Sequence, residues 1–193
     1  MAGAPPILPV RADQARDLAA DLLHDLPERW THTAGVAARA SELAVTVGVD
    51  DPELLVAAAW LHDIGYARHL RDTGFHPLDG GRHLRRHGWP PRLAALVAHH
   101  SGACYVAQAR GLGDAMAAEF PREQSPLADA LTYADQTIGP HGRRMTVPDR
   151  IADMLARHGA DSPNARAHHR RGPFLLEVAS RVEHRLAYGH HQA

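Results

Sequence analysis

The sequence predicts an all-α chain, a single-domain helical bundle, on three observations. Apolar residues recur at helical spacing in nearly every segment. Helix punctuation is frequent: Asp51-Pro52, Ser125-Pro126 and Thr146-x-x-Asp149 mark starts, and Gly65 and Gly139-Pro140 mark stops. Strand signals are nearly absent, with few aromatics, few β-branched runs and no hairpin dipeptide between alternating segments. At 193 residues the chain is long enough to bury a sizeable core as one domain. No internal repeat or linker divides it.

Residues 1–10 read as a flexible, proline-rich lead-in, and the domain occupies 11–190. A first amphipathic helix covers 12–26, with Ala15, Leu18, Ala19, Leu22 and Leu26 on one face and Pro27 ending it. Thr31 is the candidate N-cap of a helix over 31–47, whose inward stripe holds His32, Val36, Leu43 and Val47. The strongly apolar run 54–61 follows Asp51-Pro52 and leads into His62-Asp63-Ile64-Gly65. Residues 66–75 form a loop, and helices follow over 77–86, with His76 at the entry, and from Pro91 into His99-His100. Residues 104–118 are helical in pieces, interrupted by Gly111 and Gly113. Ser125-Pro126 opens a helix whose stripe is Leu127, Leu131, Ala134, Asp135 and Ile138. A helix over 147–157, a short turn from Ser162-Pro163 and a final helix over 173–188 complete the C-terminal part.

Composition excludes several functions. The net charge of −1 offers no bulk attraction to nucleic acid or an acidic membrane. All 21 basic residues are arginine, so there is neither a Walker-type phosphate-loop lysine nor a Schiff-base lysine. Cys104 stands alone, which gives no disulfide framework and suits a reducing compartment. No run approaches the ~18 apolar residues of a membrane span, and no signal-peptide pattern opens the chain. These features predict a cytoplasmic protein that does not engage a membrane.

The 16 histidines are the compositional oddity, and most of them are surface residues. His24-Asp25 is an internal control, since the leucines around it leave the pair no inward position. His32, His62, Asp63 and Asp135 differ, because each projects from an apolar face. Asp135 falls where a leucine is expected, and a buried aspartate asks for a cation. A metal ion would satisfy both His62 and Asp63. Imidazole and carboxylate donors suit Zn, Fe, Mn or Co better than Mg or Ca. His76, His99 and His100 offer further nitrogens, enough for two ions about 3.5–4 Å apart, an arrangement that activates water against a phosphate.

The order His32 … His62-Asp63 … Asp135 resembles the HD superfamily of metal-dependent phosphohydrolases, named for the His-Asp pair. The resemblance covers roughly residues 30–140 and is greatest to the small bacterial HD proteins that include diadenosine-tetraphosphate hydrolases. It implies a helical HD domain with a metal-binding core over about 30–140 and added C-terminal helices over 147–188. It implies a metal set of His32, His62, Asp63 and Asp135, with Asp63 shared between two divalent ions. His76, in His76-Pro77-Leu78-Asp79-Gly80, resembles the next ligand. His99 or His100 follows: a His-x-Ser/Thr-Gly alignment favours His99 and helical periodicity favours His100; His99 is preferred and both are kept. Asp63, His76 and His100 are implied in the chemistry itself, with His76 or the non-liganding member of the His99/His100 pair protonating the leaving group.

The expected activity is hydrolysis, by metal-activated water, of a phosphate ester or anhydride in a small molecule such as a nucleotide. Some relatives hold phosphate with a lysine at the position of Tyr66; here Arg68, His69, Arg39, Arg143 and Arg144 are the candidates. Loops 66–75 and 139–146 would choose the substrate. Alternatives are a di-iron HD-type oxygenase, a non-catalytic nucleotide-binding module, and a metal-free helical protein with a histidine-rich surface. Metal identity and oligomeric state stay open.

Overall fold

In the computed structural model, which describes residues 10–46 and 52–189, the first helix is α1 (Ala12–Leu23). Its Ala15, Ala19, Leu22 and Leu23 are buried, as the spacing predicts. The helix stops short of Leu26, and Pro27 opens α2 (Pro27–Thr46) rather than only closing α1. Proline suits that first turn, whose N–H groups have no intrahelical partner. Thr31 therefore lies one turn inside α2, and its hydroxyl donates to the Pro27 carbonyl at 2.9 Å instead of capping a start. Val47 and Asp51 lie outside the described residues, as does the lead-in 1–9.

α3 (Pro52–Leu61) is followed by two short 3-10 turns, Ile64–Tyr66 and Arg68–Leu70. Then come α4 (His76–Arg86), α5 (Pro91–His99) and a 3-10 turn, His100–Gly102. α6 (Ala103–Ala109), α7 (Gly113–Glu119), α8 (Pro126–Gln136), α9 (Val147–His158) and α10 (Pro163–Gly189) complete the order. Among the described residues there is no strand, only an isolated bridge between Ile138 and Arg144.

α3 is the axis. Leu54, Leu55, Ala57, Ala58, Ala59 and Leu61 are all buried, and the helix packs against α1, α2, α5 and α8. Each buried leucine contributes about 1.5–3 kcal/mol, so this helix is held by neighbours rather than by its own short ladder. The small alanines let α2 and α8 approach closely enough for side chains from three helices to converge at its C-terminal end.

A glycine in the turn after α3 and an aspartate in α4 fix the chain between the two helices. Gly65 is buried against the start of α4: a Cβ there would lie 2.0 Å from the His76 carbonyl oxygen and 2.8 Å from Gly80 N. It thus does more than stop a helix; it lets two backbones touch. Asp79, fully buried, accepts from the main-chain N–H groups of Asp72 (3.3 Å), Thr73 (3.0 Å) and Gly74 (3.1 Å), and from the Thr73 hydroxyl (2.8 Å). Asp79→Ala strands those donors and should cost about 2–4 kcal/mol in denaturant unfolding; a loss under about 0.5 kcal/mol would show that the loop does not depend on this carboxylate.

The final helix is longer than its sequence suggests. Ser162 Oγ accepts from Ala165 N at 3.1 Å and Pro163 follows it, so the signal read as a short turn is a helix start. Pro173 lies inside α10 instead of opening it. An internal proline costs a helix about 3 kcal/mol. Burial of Ala167, Leu175, Val178 and Val182, on a helix that packs against α6 and α8, offsets that cost. Ser125 and Thr146 cap α8 and α9 as their patterns predict, accepting from Ala128 N at 3.1 Å and Asp149 N at 3.2 Å.

Candidate metal centre

α3 ends at Leu61 and α5 at His99, and in each case the next residue is a histidine. The last carbonyls of a helix lack intrahelical donors. His62 Nδ1 donates to Ala59 O at 2.7 Å, and His100 Nδ1 donates to Val97 O at 2.6 Å. His32, in α2, makes an equivalent bond from Nδ1 to Gly139 O at 3.1 Å. A carbonyl only accepts, so Nδ1 carries a proton in all three rings, and in the neutral imidazole Nε2 keeps its lone pair. Main-chain bonds of this kind fix both tautomer and ring orientation in metal-binding histidines.

The three Nε2 atoms converge with two carboxylates. His32 Nε2 lies 3.0 Å from Asp135 Oδ1 and 3.9 Å from Asp63 Oδ2. His62 Nε2 lies 3.6 Å from Asp63 Oδ2 and 3.9 Å from Asp135 Oδ1. His76 Nε2 lies 3.2 Å from Asp63 Oδ1 and 3.4 Å from His100 Nε2. The donors form two groups, His32/His62/Asp135 and Asp63/His76/His100, in each of which the ligand atoms lie within 4.8 Å of one another. Asp63 turns one oxygen toward each group.

These contacts make poor sense without a cation. His62 Nε2 is buried and has no hydrogen-bond partner. His32 Nε2 and Asp135 Oδ1 face each other 3.0 Å apart in a buried position, so a proton or a cation must lie between them. Burial pushes the His62, His76 and His100 imidazoles below their ordinary pKa, toward the neutral, ligating form. Burial opposes ionisation of Asp63, but His62 and Arg29 outweigh it and hold the carboxyl well below its usual range. Asp135 is likewise held down, against its burial, by the His32 hydrogen bond and by His62. Neutral imidazoles beside ionised carboxylates are the donor set of a transition-metal site, so the residues fit the group.

Other side chains hold the carboxylates in place. Gln136 Nε2 donates to Asp135 Oδ2 at 3.0 Å, and the Ser101 hydroxyl donates to the same oxygen. Ser101 has φ +53° and Gly102 φ +67°, two successive left-handed residues just beyond α5. α5 itself ends between the two adjacent histidines, with His100 already extended at φ −55°, ψ 149°. His100 joins the second group, whereas His99 Nε2 donates to Phe120 O at 2.9 Å and belongs to neither. Of the two candidates left by the sequence, His100 is the ring that lies with the donor groups, and His99 lies away from them. The pair His24-Asp25 is exposed, and His24 only bonds Asp21 O at 2.7 Å.

A cavity of about 270 Å³ opens over the two groups, with Arg29, Tyr66, Phe75, Arg150 and Arg171 among its walls. Arg29 donates to Asp63 Oδ2 at 3.1 Å and lies over the Tyr66 ring at 4.1 Å, and Tyr66 stacks in turn on His76 at 4.0 Å. Burial and the neighbouring Asp63 push the Tyr66 phenol up to about 12, so it stays protonated. None of the phosphate-holding candidates from sequence lines this cavity. Arg39 and Arg144 pair instead with Glu42, each at 2.6 Å, and Arg68, His69 and Arg143 are exposed. Loop 66–75 reaches the cavity through Tyr66, Gly74 and Phe75; loop 139–146 does not. Arg29 had a legible signal, lying one helical turn before His32 on the same face. Nothing local marks Arg150 or Arg171.

No helix among the described residues is long and apolar enough to cross a membrane. Comparison with curated proteins and with solved structures gives no match to the chain. Residues 29–138, however, match the family model of the HD domain. That stretch encloses both donor groups and leaves α9 and α10 outside it. Since the match spans more than half of the sequence, the chain belongs to the HD domain family, whose members are mostly metal-dependent hydrolases.

Proposed function

We propose that the protein is a phosphohydrolase that uses two divalent transition-metal ions (Fe, Mn, Zn or Co) to cleave a phosphate ester or anhydride in a nucleotide or similar small molecule. The observation that carries this reading is the division of the donors into two groups of three, with Asp63 presenting one oxygen to each. His32, His62 and Asp135 would hold one ion, and Asp63, His76 and His100 the other. The order of these residues is similar to that of the diadenosine-tetraphosphate hydrolases of the superfamily, so a dinucleoside polyphosphate belongs in the first substrate panel.

Divalent ions supply Lewis acidity, polarising phosphoryl oxygens and activating water near neutral pH. The chain's own residues orient and charge the site. Arg29, held between Asp63 and the Tyr66 ring, fixes the carboxylate that both groups share and places positive charge at the cavity wall. Ser101 and Gln136 fix Asp135 so that its Oδ1 faces His32 and His62. Asp63, His76 and His100 enter the chemistry as ligands in this reading, because a nitrogen that holds an ion cannot donate a proton from the same lone pair. His99 faces the Phe120 carbonyl and is not placed to protonate a leaving group.

Protein purified without chelator should carry two ions per chain by elemental analysis, and removing them should lower the melting temperature. A ligand present at 100 times its Kd contributes about 2.7 kcal/mol of stability, enough for a shift of several degrees. The reconstituted protein should hydrolyse an aryl phosphate or a member of a nucleotide panel. Absence of bound metal together with absence of turnover on every substrate would remove this reading.

A further inference from the structure

The family match ends at residue 138, yet two arginines from beyond it line the cavity over the metal-ligand groups. Arg150, in α9, is buried and donates from Nε to Ile138 O at 3.1 Å. Its ion pair is weak, with Asp153 at 3.4 Å, and that carboxylate is shared with Arg157, which lies closer at 2.7 Å. Arg171, in α10, is buried and donates from Nε to Ser101 O at 2.8 Å; its Nη1 lies 4.0 Å from Met154 Sδ. Among the described residues no carboxylate lies within ion-pair distance of Arg171. An uncompensated buried charge costs several kcal/mol, and a guanidinium does not shed its proton to escape that cost.

The cavity as a whole has the same imbalance. Arg29, Arg110, Arg150, Arg157 and Arg171 line it, against two lining carboxylates, Asp63 and Asp135; Asp153, outside the lining, balances Arg157. Both lining carboxylates are engaged with the metal-ligand groups. Once two divalent ions neutralise them, the surplus of positive charge is larger than one phosphate monoester dianion balances. Arg29 stands beside Asp63, at the reacting end. Arg171 reaches the cavity beside Ser101, whose hydroxyl bonds Asp135. Several guanidinium groups around one cavity suit a ligand that carries more than one phosphoryl group.

We infer that Arg150 and Arg171 hold the phosphoryl group next to the one that reacts, so the site selects substrates with at least two linked phosphoryl groups over single monoesters. This rests on the phosphohydrolase reading and adds its selectivity. The α9–α10 extension supplies the selecting charges, and the matched domain supplies the metal ligands. Guanidinium forks suit this role, since they pair with phosphoryl oxygens through two hydrogen bonds at once.

The test is equilibrium binding to the metal-loaded protein in excess Mn²⁺. Methylenediphosphonate carries two linked phosphoryl groups that cannot be hydrolysed, and methylphosphonate carries one. Wild type should bind the diphosphonate at least about tenfold more tightly, and Arg171→Gln should reduce that ratio by about tenfold, the worth of one charge-assisted contact. Arg171→Lys, which keeps the charge and loses the fork, should fall between. An unchanged ratio in an Arg171→Gln protein of wild-type metal content and melting temperature would overturn the inference and leave Arg171 as a support for the Ser101 carbonyl. If Arg171→Gln does not fold, Arg150→Gln carries the same expectation and decides. A parallel measurement of kcat/KM for a nucleoside diphosphate against an aryl phosphate should show the same shift in ratio. Should no phosphate compound turn over, the hydrolase reading fails, and the binding ratio still decides the role of the two arginines.

Discussion

Asp63→Asn should lower hydrolysis by at least about a thousandfold and leave the protein with at most one of its two metal ions. The substitution keeps the shape of the side chain and one oxygen, but removes the charge that faces His62 from Oδ2 and His76 from Oδ1. Its effect on the metal-free fold should be a moderate loss of stability, since the fold favours the ionised carboxyl. The Arg29 side chain that pairs with Asp63 is about a third exposed, so it remains solvated when the carboxylate goes. Elemental analysis and melting of the chelated protein separate the two effects. Retention of two tightly bound ions by the variant would show that the groups do not share this carboxylate.

Gly65→Ala should be among the most damaging single-methyl changes available to the chain. The new Cβ would meet main-chain atoms, the His76 carbonyl and Gly80 N, which cannot swing aside as a side chain can. Relief requires α4 to move away from the turn after α3, at a cost of about 3 kcal/mol or more. Because His76 is the first residue of α4, the same displacement pulls its ring from Asp63 and His100. Denaturant unfolding should show the stability loss, and metal titration should show one site weakened. Gly111→Ala is the control: its φ is +73° but nothing lies within 4 Å, so only the backbone penalty of about 1 kcal/mol applies. Equal losses at the two positions would mean that close approach at Gly65 is not the cause.

The inward faces of His32 and Asp135 were readable because each interrupts an apolar stripe of its own helix, and a stripe is a local property. His62-Asp63 was readable for the same reason, at the end of a run with no polar residue before it. The choice between His99 and His100 was harder, because the run of helical geometry ends between them. Periodicity pointed to the ring that lies with the donor groups, while the motif alignment pointed to its neighbour. Arg150 and Arg171 were not legible at all: they are two of 21 arginines, and only the packing of α9 and α10 over the site buries them. Pro173 misled as a start signal because tertiary burial along α10 outweighs the penalty of an internal proline. The close approach at Gly65 depends on residue 76, which no window centred on the glycine weighs.

The three bonds from His32, His62 and His100 to Gly139, Ala59 and Val97 all end on main-chain oxygen. No point substitution deletes a carbonyl, so the accepting residues are free to change identity while the rings keep their aim. The vulnerability lies in length. One residue inserted into the last turn of α3 or α5 turns the following imidazole by about 100° around the helix axis, enough to carry it out of the site. Sequence drift at residues 59 and 97 should therefore be tolerated as long as the replacement fits the core, whereas a single-codon insertion beside either should not.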